Sequence, residues 1–308
     1  MTIGEKKKSI MITGGSGLVG RYLTSLLLSE GYKVSHLSRK QDQFGRVRVF
    51  RWDPGKQIID PEAFAGIDYI IHLAGANIGE KRWTEKRKEE IRKSRVDAAH
   101  LIYKVIKENR IPLKAFISAS AVGFYGSVTS ETIFTENDLP AEDFLGTICR
   151  EWEEAACRFE EKGIREVRIR TAVVLEKNDS ALSRLLIPAR ARIFPILGNG
   201  RQYMPWIHTE DLCRIYLKAI QDDNMTGAYN AASPDGTTHF RFMKTLARVM
   251  NRSGLFLPVP AFILRAILGE MSSVVLKGTR VSSEKIIKAG FHFKFDKLPD
   301  ALENAISI

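Results

Sequence analysis

The sequence predicts an α/β protein, a Rossmann-like doubly wound parallel sheet with a smaller C-terminal α/β lobe. Short apolar runs alternate with amphipathic stretches of helical spacing, and a glycine-rich turn joins the first run to the first helix. Strands buried on both faces read as apolar runs, and their alternation with helices is typical of parallel sheets. The alternation loosens after Leu175, which predicts a first domain at 1–175, completed by about 207–232, and a smaller lobe at 176–206 and 233–308.

The first strand–turn–helix–strand unit has the clearest sequence pattern. Ile10 to Ile12 predicts a buried strand, and the apolar residues that follow Leu18 share one helical face. Gly31 predicts the end of this helix, and 34–38 predicts a second strand. The same criteria predict strands at 47–52, 67–73, 115–117, 167–175 and 228–230, helices at 83–109, 144–162, 180–192, 212–221, 240–251 and 261–269, and a ligand-closing loop at 193–207.

Three glycines carry the first functional signal. Gly14, Gly17 and Gly20 follow the first strand and open the amphipathic helix. A turn without side chains lets backbone N–H groups approach a pyrophosphate, and the helix N-terminus adds its positive dipole end. The alternative is an ordinary glycine-rich turn, but the strand–turn–helix context favours dinucleotide binding.

The end of the second strand indicates which dinucleotide is bound. Ser38 and Arg39 stand where an NAD enzyme carries a carboxylate for the ribose 2′-hydroxyl, and Lys40 follows them. A hydroxyl and a guanidinium suit a 2′-phosphate instead, because arginine binds phosphate oxygens through a fork of donors. We therefore expect NADP, with NAD as the less favoured cofactor; a solvated basic loop is the alternative.

Two later strand ends carry small or polar residues. Ala74 and Gly75 follow the strand that ends near Leu73, and Ser118 and Ser120 follow the next one. Ligands of open α/β sheets bind outside the carboxyl ends of the strands. These residues therefore predict a cofactor crossover and a chemical site; a helix–strand contact and loop-capping serines are the structural alternatives.

Composition narrows the class of protein. The chain has 308 residues, 44% of them hydrophobic, and a formal net charge of +11, which favours anionic ligands. Much of the excess positive charge lies in Lys6–Lys8 and in Lys81–Arg95. The three cysteines show no metal-ligand or disulfide spacing, and we expect a reducing cytoplasm. We expect no metal, no specific nucleic acid and no membrane partner, since no apolar run reaches the length of a spanning helix.

The order of the motifs resembles that of extended short-chain dehydrogenases/reductases, and more narrowly that of their atypical branch, the epimerase family proteins. The motifs that carry the resemblance are TGGSGLVG, HLAGAN, RWTEKRKEEIRKSR, SASAVGFYG, RTAVVL, PWIH and the final KAGFHF. The resemblance implies the following cofactor contacts: Gly14, Gly17, Leu18, Val19, Gly20, Ser38, Arg39, Leu73, Ala74, Gly75, Glu90, Arg95 and Val174. For Glu90 and Arg95, a solvated helix face is the alternative.

The catalytic pattern of that superfamily is incomplete here. Ser120 matches its serine, but the tyrosine–lysine pair expected at the start of the next helix is replaced by apolar residues, with Phe144 or Leu145 in the tyrosine slot. Tyr125 and His208 are candidate substitutes for the missing tyrosine. The structural alternatives are that Tyr125 packs in its loop and that His208 begins a helix. We take Ser120 and Tyr125 as the candidate catalytic residues.

Two functions follow as hypotheses. One is an NADP-dependent oxidoreductase or nucleoside-sugar epimerase-like enzyme that acts on a small polar or anionic substrate. The other is a non-catalytic NADP(H)-binding sensor or partner platform, because the tyrosine–lysine pair is missing. The resemblance further implies a monomer or a homodimer that pairs through the helices at 83–109 and 144–162.

Overall fold

A computed structural model describes residues 7–40, 45 and 47–307, so Lys6 of the basic tail lies outside the described residues. The strands are β1 Ser9–Thr13, β2 Lys33–Ser38, β3 Arg48–Asp53, β4 Ile58–Ile59, β5 Tyr69–His72, β6 Ala115–Ala121, β7 Ile133–Phe134, β8 Arg165–Thr171, β9 Val173–Leu175, β10 Ile193–Leu197, β11 Trp206–His208, β12 Gly227–Ala231, β13 Leu255–Val259 and β14 Arg280–Val281.

The helices alternate with these strands. They are α1 Leu18–Ser29, α2 Glu85–Asn109, α3 Phe144–Cys157, α4 Ala181–Arg190, α5 Thr209–Gln221, α6 His239–Val249, α7 Ala261–Leu268, α8 Ser273–Leu276, α9 Glu284–Lys288 and α10 Leu298–Ser307. Short 3₁₀ helices lie at Pro54–Lys56, Pro61–Phe64, Val122–Tyr125, Arg158–Lys162 and Gly269–Ser272.

One eight-stranded sheet organises the protein, in the order β12-β8-β6-β5-β1-β2-β3-β4. Every pairing in it is parallel except that of β3 with β4. The chain runs outward from β1 to β2 and β3 on one side and to β5, β6 and β8 on the other. The carboxyl ends of β1 and β5 therefore border a topological switch point, where such sheets bind ligands. The predicted fold class is confirmed.

The sheet is covered on both faces, which explains its apolar strands. One core lies beneath α1 and α5, around Ile10, Ile12 and Ile71. The other lies beneath α2 and α3, around Met11, Ile70 and Phe116. A third core gathers Leu182, Phe194, Phe242 and other apolar residues of the second half of the chain. This separate core supports the two-lobe division, whose boundaries stay a prediction.

Three predicted elements differ from the structure. The strand at 167–175 is divided at Ala172, whose N–H donates to the Ala231 carbonyl, so that β9 leaves the main sheet and pairs with β11. The helix at 144–162 ends as α-helix at Cys157. The predicted loop at 193–207 contains β10 and β11, because its glycines and prolines separate two short strands.

Candidate functional site

The turn between β1 and α1 is tightly closed by backbone contacts. The Gly17 N–H donates to the Gly14 carbonyl at 3.0 Å, and Gly14 has a φ of +72°. A Cβ on Gly14 would lie 3.0 Å from the Ala74 nitrogen, and one on Gly20 would lie 2.4 Å from the Gly14 oxygen. A side chain at either position would displace backbone atoms, which explains why glycine stands in the turn and in the first part of the helix.

The N-terminus of α1 is uncapped within the described chain. Gly17 offers no capping side chain, and the first turn, which includes Leu18 and Val19, carries no acidic residue. The first N–H groups of a helix lack intrahelical partners, and the helix dipole adds partial positive charge there. The turn therefore leaves donors for an anion at the switch point of the sheet.

His36 supports this turn from β2. Its Nε2 lies 2.8 Å from the Thr24 hydroxyl, which itself donates to the Gly20 carbonyl, so Nε2 is the donor. A Cβ on Gly15 would lie 2.5 Å from the imidazole ring. Burial lowers the pKa of His36 to about 4, and the ring is neutral near pH 7. Gly15 thus completes a glycine cradle that rests on an uncharged ring.

A second network fixes the end of β5. The Ala74 N–H donates to the Thr13 hydroxyl at 3.1 Å, and that hydroxyl donates to His72 Nδ1 at 2.8 Å. Burial lowers the pKa of His72 to about 4, so the ring is neutral near pH 7 and has one donor and one acceptor nitrogen. Nε2 donates to the Arg95 carbonyl at 3.3 Å, and Nδ1 is therefore the acceptor. The network joins β1, β5 and α2 at the predicted crossover.

Arg95 lies directly against that crossover. A Cβ on Gly75 would lie 2.9 Å from its Cζ, and the guanidinium covers the Trp152 ring at 5.1 Å. Nη1 donates to the Ile91 carbonyl, but no ion pair joins Arg95 to a carboxylate in the described ranges. Burial lowers its pKa to about 10, so the side chain is a cation near pH 7. Such a cation suits an anionic or polar ligand.

Arg39 and Glu90 come from different elements and lie within electrostatic reach. The Arg87 hydrogen bond, at 2.7 Å, lowers the pKa of Glu90, and the charges of Lys81 and Arg39 act in the same direction. Arg39 is exposed at the end of β2, and it has no hydrogen bond or ion pair to another described residue. The neighbouring Ser38 hydroxyl accepts from the Lys40 N–H.

The apolar predicted contacts border one core. Val19, Leu73 and Val174 are partly buried at its margin, beside Val122. Val174 reaches this margin because β9 pairs with β11, where it lies opposite Ile207. The structure therefore brings Val174 of β9, Val19 of α1 and Leu73, which follows β5, to the same side of the sheet.

Ser120 and Tyr125 belong to one buried polar network. Ser120 donates to Glu153 at 2.7 Å, and Arg170 binds the same carboxylate through Nε at 2.8 Å and Nη2 at 2.9 Å. Arg170 also donates to the Tyr125 hydroxyl at 2.8 Å, and that hydroxyl donates to Asn230 Oδ1 at 2.8 Å.

Burial limits the acid–base chemistry of this network. Tyr125 is 1% exposed, and burial raises its pKa to about 12 although Arg170 opposes the shift. Ser120 is also buried, and its proton is directed to Glu153. Both hydroxyls thus have fixed partners, and the geometry favours a positioning role over direct proton transfer.

The other candidates occupy structural positions. Phe144 and Leu145 pack with Trp83 and Met271, and Ile148 and Cys149 are buried, so the tyrosine and lysine slots of α3 are apolar. His208 caps α5: its Nδ1 accepts from the Glu210 N–H at 3.2 Å, and its ring packs on Phe295 at 3.9 Å. Burial lowers the pKa of His208 as well.

Comparison with known proteins identifies the family. The model of the NAD dependent epimerase/dehydratase family matches residues 10–232, and that of a domain of unknown function matches residues 259–305. The chain belongs to the NAD-dependent epimerase/dehydratase family. An epimerase family protein of Bacillus subtilis, YfhF, is 34% identical over 97% of this chain and 98% of its own.

Solved structures of other proteins have the same fold. The human epimerase family protein SDR39U1, crystallised with NADPH, superposes with a TM-score of 0.87 and 28% identity over 97% of this chain and 99% of its own. MoeE5 in complex with UDP-glucose and NAD gives a TM-score of 0.80 at 19% identity over 97% of both chains, which shows the fold alone. The resemblance drawn from the sequence motifs is confirmed.

Sequence reasoning missed four residues that build this site. Gly15 and His36 fix the glycine turn, and Thr13 fixes the end of β5. Arg87 joins the loop after β5 to α2 through Asn77 and Glu80. Gly15 lies next to the first glycine of the fingerprint, so the motif itself could have indicated it. The others act through partners distant in sequence, and neither periodicity nor spacing signals them.

Proposed function

We propose that the chain binds NADP(H) at the β1–α1 turn and acts as an oxidoreductase or epimerase-like protein on a small polar substrate. One observation carries the proposal: an uncapped helix N-terminus behind a glycine cradle lies at the same carboxyl edge of the sheet as Arg39, which forms no hydrogen bond or ion pair with another described residue. The NADPH in the human SDR39U1 crystal supports the choice of cofactor.

The residues fit the parts of this cofactor. Backbone N–H groups of Leu18 and Val19 suit the pyrophosphate, and Ser38 with Arg39 suits the 2′-phosphate. Ala74, Gly75 and Arg95 would border the adenosine side, and Val174 the nicotinamide side. NAD lacks the group that Arg39 would hold, so it remains the less favoured cofactor.

Replacing Arg39 by alanine tests the cofactor assignment. We expect NADPH binding to weaken by about 1.5–3 kcal/mol, since the variant loses charge-assisted hydrogen bonds, and NADH binding to change little. Calorimetric titration of both cofactors measures the difference. Lys40→Ala removes the neighbouring exposed cation and should have a much smaller effect; equal losses for NADPH and NADH in Arg39→Ala would contradict the assignment.

When bound, the cofactor supplies hydride transfer. The chain must then hold a substrate and manage a proton, and the predicted catalytic residues are Ser120 and Tyr125. Their fixed partners specifically favour the second candidate function, a non-catalytic NADP(H) sensor or partner platform. The apolar residues of α3 at the expected tyrosine and lysine positions also favour the non-catalytic sensor.

A turnover screen separates the two candidates. We expect the reduced cofactor's absorbance to change with one member of a panel of nucleotide sugars and small carbonyl compounds, and Ser120→Ala or Tyr125→Phe to reduce that rate. Tyr203→Phe is the matched control, because its hydroxyl bonds to the surface residue Glu131. Tight NADPH binding without turnover across the panel would favour the sensor.

The remaining assignments accompany the proposal. Cys149, Cys157 and Cys213 are all unpaired, which supports a reducing compartment such as the cytoplasm. The outer faces of α2 and α3 remain the expected contact of a homodimer. No helix of the described residues has the length and apolarity that a membrane crossing requires.

A further inference from the structure

Two segments of the second lobe carry cations and exposed apolar side chains that are not among the proposed cofactor contacts. They are Ser180–Thr209 and Gly236–Gly269, called here the basic lobe segments. Together they make up about a fifth of the chain and contain nine arginine or lysine residues and no acidic residue. Among these nine, only Arg241 forms an ion pair with a described residue, Asp235. The segments thus carry most of the net charge.

The same segments expose much of the apolar surface. Nine of the sixteen large apolar side chains that are exposed on the described chain lie in them. β10 and β13 pair in register, with Ile193 opposite Leu255, and only the face that bears Phe194 packs into the third core. Leu255 is 62% exposed on the other face, and α7 follows with Phe262 at 70% and Ile267 at 65%.

Arginines cluster where these two strands begin. Arg252 donates from Nη1 to the carbonyl of Arg190, and the Arg192 carbonyl accepts from the Leu255 N–H. These hydrogen bonds place the backbone of the three residues near one end of the apolar sheet face, where Arg190, Arg192 and Arg252 form no ion pair with a described residue.

We propose that the basic lobe segments dock the protein onto the surface of an anionic lipid bilayer. Large apolar side chains that protrude beside unpaired cations match the acyl boundary and the charged headgroups of such a surface. Leu255, Phe262 and Ile267 enter the boundary, and Arg248 and Arg265 contact headgroups. This docking needs no spanning helix.

Charge argues against a second copy as the occupant. Pairing these segments with those of a second copy would bring unpaired cations of the two copies near each other, and like-charge juxtaposition across an interface costs several kcal/mol. An acidic protein partner would satisfy the charge, but the exposed apolar residues lie on a strand face and a protruding helix rather than in a described groove. The bilayer satisfies both the charge and the shape.

Vesicle co-sedimentation tests the proposal. We expect the full chain to sediment with vesicles of phosphatidylcholine and phosphatidylglycerol at about physiological ionic strength, to remain soluble with phosphatidylcholine alone, and to dissociate in high salt. Arg248→Gln with Arg265→Gln should weaken binding by about tenfold or more. Phe262→Asp with Ile267→Asp should abolish it, since charge replaces the inserted side chains.

Matched variants keep the result interpretable. Lys104→Gln with Lys107→Gln removes two exposed charges from α2, and Leu139→Asp changes an apolar residue that is 84% exposed elsewhere. Both should sediment like the parent. The proposal is overturned if the parent ignores anionic vesicles, if controls and lobe variants lose binding equally, or if the Phe262 and Ile267 changes abolish self-association or binding to an acidic protein while leaving vesicle binding intact.

Discussion

Replacing Glu153 by alanine is expected to lower the free energy of unfolding by about 3–5 kcal/mol, the cost of breaking a buried ion pair by removing one partner. Glu153 is 3% exposed, and its carboxylate binds Arg170 through two nitrogens and also accepts from Ser120. The variant leaves the Arg170 guanidinium buried without a carboxylate, and the Ser120 hydroxyl without its acceptor. Urea denaturation of both proteins measures the difference.

The adjacent residue supplies the control for this loss. Glu154 lies on the exposed side of α3 and pairs with Arg150 at 3.8 Å, so Glu154→Ala should change stability by no more than about 0.5 kcal/mol. Glu153→Gln keeps the shape and one acceptor, and it provides an intermediate if the alanine variant fails to fold. Equal stability of the two alanine variants would show that the network does not stabilise the fold.

Replacing Gly20 by alanine should weaken NADPH binding by about ten- to a hundredfold, the scale of one lost hydrogen bond to a charged group. We also expect the variant to be less stable than the parent. Helix propensity alone predicts a gain in stability, because alanine is favoured over glycine inside a helix by about 1 kcal/mol. The new Cβ would lie 2.4 Å from the Gly14 oxygen and 2.7 Å from the Gly15 Cα. Backbone must move to relieve this overlap, and the turn moves with it.

Binding and unfolding measurements together check this prediction. Gly20→Ala should lose NADPH affinity in a calorimetric titration and unfold at a lower urea concentration than the parent. Gly55→Ala is a fair control, since its Cβ would meet Asp53 Oδ1 at 3.4 Å, an ordinary contact, in an exposed turn. A Gly20→Ala protein of parental affinity would contradict a pyrophosphate at the turn.

The sequence by itself determined the fold class and the outline of the cofactor site. Buried strands and amphipathic helices are local patterns, so Ile10–Ile12, α1 and the glycines between them follow from spacing alone. The assignment of Arg39 is a prediction made in the same way, because in this fold the residue that meets the ribose stands at the end of the second strand. The glycine turn that these residues predict closes as expected, although its occupant stays a proposal.

Only the tertiary structure decided what the polar residues contact. Tyr125 donates to Asn230 at a separation of 105 residues, and Ser120 donates to Glu153 on α3. The arginines at the starts of β10 and β13 likewise meet only because those strands pair. Spacing encodes the face of one helix or strand, whereas these contacts depend on how separate elements pack, which no local period records.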